Sequence, residues 1–221
     1  TGNSRNSIGP RQRLNCEQTT EKMNRPVNTV TVALTGASGL PYGLRLIECL
    51  LKAGKRVWVM YSQAAQIVAR QEMNLDLPSQ PQAFQQWLVA HFHADPEKIA
   101  VFGREAWFAP PASGSNPADA MVICPCSMGT LAAIANGSSD NLIERAADVM
   151  IKESRKLVLV PREAPFSAIH LENMLKLARL GACILPPNPA FYTHPQTIQD
   201  MIDFIVGRIM DQLAIEHQLH P

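Results

Sequence analysis

The 221-residue sequence lacks any apolar run that approaches the roughly 20 residues of a membrane-spanning helix. Its N-terminus is polar and has no apolar signal core, so we expect a cytoplasmic protein with no membrane partner. The formal net charge is only +1, with acidic and basic residues interspersed, which leaves no basic face for nucleic acid. Together with 46% hydrophobic residues, these absences favour a soluble globular protein with a substantial core.

The sequence is also poor in disulfide and metal signals. The five cysteines are odd in number, and three of them lie in apolar strand or helix patterns, as reduced core cysteines do. Cys124-Pro125-Cys126 does not have the usual C-x-x-C spacing, and none of the six histidines supplies a set of further ligands. We therefore expect neither a disulfide framework nor a metal site.

Two parts of the chain differ in composition. Residues 1–28 contain almost nothing that could form a packed face. We interpret them as a flexible N-terminal extension, and vector-derived residues before a natural start at Met23 are one interpretation of its origin. Residues 29–221 are then expected to form a single domain.

From Val30 onward, apolar strand patterns alternate with helical patterns. This alternation predicts an α/β fold, a doubly wound parallel sheet with helices on both faces. The predicted strands are Val30–Leu34, Arg56–Tyr61, Ala120–Cys124, Leu157–Val160 and Cys183–Leu185, with a further short strand in Ala106–Ala109. The predicted helices are Tyr42–Ala53, Gln63–Met73, Pro81–Phe92, Met128–Ala135, Asn141–Lys152, Ile169–Leu180 and Pro195–Gln218.

The stretch from Thr35 to Gly43 has the pattern of a glycine turn between a strand and a helix. Glycines let the backbone turn sharply and approach a ligand closely, and Pro41 suits a first helical position. Amide groups at a helix start attract phosphate or other anions. Because ligands bind beyond the carboxyl ends of parallel strands, we expect the active site to be organised around this turn. A tight structural turn without a ligand is the alternative.

Two familiar interpretations of this turn do not fit its spacing. Gly36, Gly39 and Gly43 are one residue too widely spaced for a dinucleotide fingerprint. The second strand is followed by Ser62 and lacks the acidic residue that holds an adenosine ribose, and a hydroxyl there suits a phosphate instead. A serine hydrolase needs Gly-x-Ser-x-Gly, whereas Gly39 follows Ser38 directly.

Two other segments carry polar groups where predicted strands end. Residues 124–137 combine small side chains and hydroxyls that suit the polar edge of a flat ring, and an ordinary capped helix is the alternative. Residues 157–165 place Arg162 and Glu163 after a predicted strand. Arg162 could bind a phosphate. If the Glu163 carboxyl is partly desolvated, it could move protons near neutral pH. A surface ion pair is the alternative there. Further candidates are two cations on one helix face, a cation on the last helix and a hydroxyl on a proline-rich loop, namely Arg145, Lys152, Arg208 and Tyr192.

Four motifs follow one another along the chain, namely Thr35-Gly36-Ala37-Ser38-Gly39 with Tyr42-Gly43, Pro111-Ala112-Ser113-Gly114-Ser115, Cys124-Pro125-Cys126-Ser127-Met128-Gly129-Thr130-Leu131, and Pro161-Arg162-Glu163-Ala164-Pro165 with His170-Leu171-Glu172-Asn173-Met174. In this order they resemble the motifs of the UbiX-type flavin prenyltransferase family, and the resemblance extends from about Val30 to the C-terminal helix. The resemblance implies a Rossmann-like flavoprotein fold. Members join a dimethylallyl group from dimethylallyl monophosphate to FMN at N5 and C6, without a metal, and the prenylated FMN serves UbiD-type decarboxylases, including the one in ubiquinone biosynthesis.

The resemblance also implies the roles of individual residues. Ser38 and Glu163 would handle protons around flavin N5 and the departing phosphate, and Glu72 would approach the flavin from a neighbouring subunit. The family further implies a homo-oligomer, a dodecamer, with sites at subunit contacts. Reduced FMN would be bound by Gly36, Ala37, Ser38, Ser62, Ser127, Met128, Thr130 and Arg145. The prenyl phosphate would be bound by Lys152, Arg162, Tyr192 and Arg208.

Two alternative functions are weighed against this one. The homologous flavin-dependent cysteine decarboxylases carry a catalytic His after the first unit, whereas this chain has no His between Val30 and Ala90. Their Pro-Ala-Ser-Ala-Asn-Thr segment is also altered here, to Pro111-Ala112-Ser113-Gly114-Ser115-Asn116. The second alternative is a non-catalytic FMN-binding protein, which would not require the proton-transfer set.

Overall fold

The computed structural model describes residues 26–219. Within them, six parallel strands form one sheet in the order β3-β2-β1-β4-β5-β6, which confirms the predicted doubly wound α/β fold. The strands are β1 (Thr29–Leu34), β2 (Arg56–Tyr61), β3 (Ile99–Phe102), β4 (Ala120–Cys126), β5 (Lys156–Pro161) and β6 (Cys183–Ile184). The helices are α1 (Leu40–Lys52), α2 (Gln63–Met73), α3 (Pro81–Phe92), α4 (Met128–Ala135), α5 (Leu142–Lys152), α6 (Ala168–Arg179) and α7 (Ile198–Gln212).

Helices cover both faces of the sheet because successive strand residues point to opposite sides. On the first face, strand residues such as Val32 and Val59 pack with α1, α2, α3 and α7. On the second face, residues such as Ala33 and Met60 pack with α4, α5 and α6. The strand sequences are therefore nearly continuous apolar runs, as is typical of parallel strands that are buried on both faces. Across residues 26–219, no helix is both long enough and apolar enough to span a membrane.

Two predicted elements were wrong. The strand expected in Ala106–Ala109 is a series of turns, and β3 lies earlier, at Ile99–Phe102. At four residues, β3 is too short for its alternating burial to stand out as a sequence pattern. The helix expected over Pro195–Gln218 is shorter. A capping box starts α7 after Thr197, and Ala214 adopts a positive φ of 54° soon after its end.

The first described residues contact the folded domain. Of the predicted extension, residues 1–25 lie outside the part of the chain that the structure describes. Val27 packs against the first-face core, and the amides of Asn28 and Thr29 both donate to Asp119 at 3.0 Å. These contacts attach Val27 and Asn28 to the folded domain.

Candidate active site

The strand order reverses between β1 and β4, and open parallel sheets bind ligands in the crevice above such a point. Here the two flanking loops are joined by one buried side chain, that of Thr35, which is 1% exposed. Its hydroxyl donates to the carbonyl of Pro125 at 2.7 Å and accepts the amide of Ser127 at 2.8 Å. The glycine turn and the loop after β4 are therefore fixed to each other.

The neighbouring loops are tied to this pair. The amide of Ser62 donates to Leu34 at 3.0 Å, and the amide of Arg162 donates to Cys126 at 3.3 Å. Gly36 must lack a side chain because an added Cβ would collide with Ala64. The loops after β1, β2, β4 and β5 thus form one continuous edge, called here the carboxyl rim.

The carboxyl rim carries hydroxyl groups with hydrogen-bonding capacity left for a ligand. The Ser38 hydroxyl has no hydrogen-bond partner within residues 26–219. Ser62 accepts the amide of Ala65 at 3.1 Å, as a helix cap, and keeps its own proton. Ser127 caps α4 and donates to Thr130 at 3.0 Å, so the Thr130 proton stays available. Seven of the predicted flavin-binding residues lie on this rim, namely Gly36, Ala37, Ser38, Ser62, Ser127, Met128 and Thr130.

Glu72, at the end of α2, contacts the glycine turn of its own chain. Its carboxylate accepts the amides of Gly39 at 3.0 Å and of Leu40 at 3.3 Å. Gly39 has a φ of +107° and no side chain to cap α1, so Glu72 supplies the negative charge that a helix start favours. In this chain a carboxylate thus occupies the helix start that we expected to attract a phosphate. The contact predicted between Glu72 and a neighbouring subunit's flavin stays a prediction.

The loop that carries Arg162 and Glu163 is exposed along its whole length up to Pro165. In this single chain the Glu163 carboxyl is therefore exposed to solvent, and not partly desolvated as we had expected. One carboxylate oxygen of Glu163 accepts the amide of Ala164 at 3.1 Å. The loop is closed at its far end, where Ser167 and His170 form a capping box at the start of α6.

The predicted cations of α5 contact other parts of the chain. Arg145 donates to the carbonyl of Ala112 at 3.1 Å and pairs with Asp148 at 2.9 Å. Lys152 ends the helix, about 15 Å from its start, and pairs with Glu153 at 2.5 Å. Because α5 starts at the rim and leads into the first residue of β5, Lys152 lies towards the opposite edge of the sheet.

The last two predicted phosphate ligands also make other contacts. Arg208, in α7, pairs with Asp211 at 2.7 Å. Tyr192 is 77% exposed and packs edge-on against Phe204, with ring centroids 6.3 Å apart. Among the described residues, neither one bonds to a rim residue, so their roles stay predictions.

A cavity of about 260 Å³ opens on the rim between β2 and β3. Ser62 and Thr130 line it together with Arg104, Gln63 and Asn141, which the sequence interpretation missed. Arg104 was missed because β3 was missed, and it follows that strand by two residues. The signal available in the sequence was a short apolar run, Ile99–Phe102, followed by Gly and Arg.

A larger groove of about 900 Å³ lies between α1 and the chain that follows α7. Its cations are already neutralised, since Arg45 pairs with Asp203 at 2.7 Å and Lys52 pairs with Glu48 at 2.5 Å. No predicted site residue lines this groove, so the rim cavity is the better candidate site.

The two cysteines in the last three residues of β4, Cys124 and Cys126, are buried on opposite faces. Cys124 packs in the first-face core and Cys126 in the second-face core, because the strand register shifts between Ile123 and Cys126. Burial raises the pKa of the Cys126 thiol to about 12 and that of Cys124 well above its usual range. Among residues 26–219, no cluster of three or more His, Cys, Asp or Glu could hold a metal ion.

Comparison with known proteins identifies the family. The Flavoprotein family model matches residues 17–210. Flavin prenyltransferase UbiX of Pseudomonas aeruginosa is 56% identical over 192 residues, covering 87% of this chain and 92% of the relative. Among solved structures, AnUbiX (PadA1) in complex with FMN and dimethylallyl pyrophosphate is 41% identical with a TM-score of 0.76, covering 87% of this chain and 94% of its own. A dodecameric FMN-dependent UbiX-like decarboxylase from Escherichia coli O157:H7 is 40% identical with a TM-score of 0.77, covering 87% and 97%. The chain therefore belongs to the Flavoprotein family and, within it, to the UbiX-type flavin prenyltransferases.

Proposed function

We propose that this protein joins the dimethylallyl group of dimethylallyl monophosphate to N5 and C6 of reduced FMN, without a metal ion. The main support for this proposal is the carboxyl rim, whose hydrogen bonds hold Ser38, Ser127 and Arg162 on adjacent loops. This edge offers hydroxyl donors to a flavin beside a guanidinium and a carboxylate. The 56% identity to a flavin prenyltransferase supports the same activity.

Individual residues of the rim would have separate roles in the reaction. Transfer would break the bond between prenyl C1 and the phosphate oxygen as the bond to N5 forms, and the bond to C6 would form at prenyl C3 while the prenyl double bond takes up a proton at C2. Of the two protons released from N5 and C6, one would replace the proton taken up at C2 and the other would go to the departing phosphate. Ser38 and Glu163 would move these protons, and Glu163 would also protonate the departing phosphate. Arg162 would stabilise the phosphate charge by a forked pair of hydrogen bonds. FMN supplies the nucleophilic ring when it is bound.

We propose that neighbouring copies complete the site in a homo-oligomer, a dodecamer. Among residues 26–219, Lys152, Arg145, Tyr192 and Arg208 make their contacts with residues outside the rim, and a second copy would bring such groups to the site. Glu72 would likewise approach a neighbour's flavin. Large exposed apolar side chains support self-association, among them Phe108, Phe191 and Ile198. The dodecameric state of the E. coli relative agrees with this proposal.

The product would pass to a UbiD-type decarboxylase, including the one in ubiquinone biosynthesis. We place the reaction in the cytoplasm. The unpaired thiols of Cys49, Cys124, Cys126 and Cys183 are consistent with a reducing compartment.

The deciding experiment is anaerobic. Purified protein is incubated with reduced FMN and dimethylallyl monophosphate or, separately, the pyrophosphate, with and without EDTA, and the flavin is weighed by mass spectrometry. A mass gain of one C5 unit that EDTA does not prevent supports the proposal. FMN binding without any mass gain would favour the non-catalytic binder, and CO₂ release from a peptide cysteine or an aromatic acid would favour a decarboxylase. Restoring an apo UbiD-type decarboxylase with the product tests the handover.

A further inference from the structure

We propose that Arg104 binds a phosphate monoester in the rim cavity between β2 and β3. The inference rests on the proposed function for the identity of the ligand, since a prenyl transfer to FMN involves two such monoesters. One is the phosphate of FMN and the other is the prenyl phosphate. In either case, Arg104 is a binding residue that sets the preference for a phosphorylated ligand.

The position of Arg104 is fixed by its main chain. Its carbonyl accepts the amide of Leu142 at 2.8 Å, which attaches the loop after β3 to the first turn of α5. Leu142 also lines the cavity. The exposed side chain of Arg104 therefore starts at the cavity wall, from a main chain that is hydrogen-bonded to α5.

The charge of Arg104 is not neutralised by the chain. It is the only charged side chain that lines the cavity, and it forms no ion pair or hydrogen bond within residues 26–219. Glu144, in the first turn of α5 beside the cavity, accepts hydrogen bonds from Asn141 at 2.7 Å and from the amide of Asp140 at 2.8 Å, so both of its carboxylate oxygens are engaged. By contrast, Arg145 and Arg208 each pair with a carboxylate.

The other donors around the cavity suit an anion. The hydroxyl protons of Ser62 and Thr130 have no acceptor in the described chain. The amides of Gln63 and Ala64, in the first turn of α2, are likewise unpaired. A guanidinium, hydroxyls and amides that line one cavity are a phosphate-binding arrangement, because each group can donate to a separate oxygen.

The first test measures flavin binding by the purified protein. Arg104→Gln keeps the length and polarity of the side chain but removes its charge, and Arg104→Lys restores the charge without the fork. Kd is measured for FMN and for riboflavin by fluorescence quenching. Loss of a charge-assisted hydrogen bond should weaken FMN binding about 10- to 150-fold and leave riboflavin unchanged, with the Lys variant intermediate. Arg56→Gln is the matched control, since Arg56 is exposed at the other end of β2 and should bind FMN like the wild type.

The second test distinguishes the two monoesters. With FMN saturating, KM for dimethylallyl monophosphate is compared between the wild type and Arg104→Gln. If Arg104→Gln leaves Kd for FMN and for riboflavin unchanged but raises KM for dimethylallyl monophosphate 10- to 150-fold, Arg104 binds the prenyl phosphate. If neither constant changes in a variant that melts like the wild type, the inference is overturned.

Inorganic phosphate is the probe that does not depend on flavin chemistry. Addition of wild-type protein should broaden the ³¹P resonance of inorganic phosphate, and addition of Arg104→Gln should not. Phosphate binding by the wild type without any prenyl transfer would remove the proposed function and keep the phosphate site. Equal broadening by both proteins would remove Arg104 from that site.

Discussion

The hydroxyl of Thr35 lies 2.7 Å from the carbonyl of Pro125 and 2.8 Å from the amide of Ser127. This one side chain joins the glycine turn after β1 to the loop after β4, at the point where the strand order reverses. Both loops carry predicted flavin-binding residues, so Thr35 sets their relative position without having to touch the ligand itself.

Thr35→Val should destabilise the protein by about 2–3 kcal/mol, because it leaves a buried carbonyl and a buried amide without their partner. Thr31→Val is the matched control, because Thr31 is buried on the same strand and its hydroxyl has no hydrogen bond in residues 26–219. That control should be neutral or stabilising. Urea unfolding measures both, and equal midpoints would contradict the role given to Thr35.

Glu163→Gln should retain FMN binding but slow prenyl transfer by a factor of roughly 100 to 10,000, the range typical of general acid-base groups. The amide keeps the shape of the side chain and cannot exchange the proton. Glu172→Gln, an exposed acid on α6, is the control and should transfer at the wild-type rate. Single-turnover flavin mass spectrometry gives the rates, and wild-type turnover in Glu163→Gln would remove Glu163 from the mechanism.

Gly43→Ala should destabilise the fold by about 1–3 kcal/mol. Gly43 lets α1 approach β4 closely, and an added Cβ would meet the Cys124 carbonyl and a methyl group of Leu34. In contrast, Gly129→Ala adds a Cβ in open space within α4 and should stabilise by up to about 1 kcal/mol. Thermal unfolding should separate the two variants in opposite directions, and a shift in the same direction would refute the packing argument.

Buried thiols should resist alkylation and make the protein sensitive to alkali. Burial raises the pKa of Cys49 from about 9 to about 11 and that of Cys126 to about 12. Since only a thiolate reacts, iodoacetamide at pH 8 should leave both residues unmodified until urea is added. The experiment uses a Cys16→Ser background, so that only cysteines within the described residues can be labelled. Labelling of Cys49 or Cys126 in the folded protein at the rate seen in urea would contradict their burial.

The same shifts fix the sign of the pH dependence. A thiol with a raised pKa in the folded state binds its proton more tightly there than in the unfolded chain, so its contribution is complete below pH 9. The free energy of unfolding should fall as pH rises from about 9 towards 12. Urea midpoints across this window measure the effect, and a flat profile would show that these thiols ionise equally in both states.

The sequence by itself determined five of the six strands and most of the helices, because buried parallel strands are continuous apolar runs and helices such as α2 have clear caps and breakers. It also placed Ser38, Ser62 and Ser127 directly after strands, where the topology requires a ligand site. Only the tertiary structure decided which groups meet across loops. The bond from Thr35 to Ser127 spans 92 residues, Glu72 caps a helix that begins 32 residues earlier, and Arg104 reaches the cavity from a strand too short to detect. Such contacts depend on the docking of separate elements, for which local periodicity carries no signal.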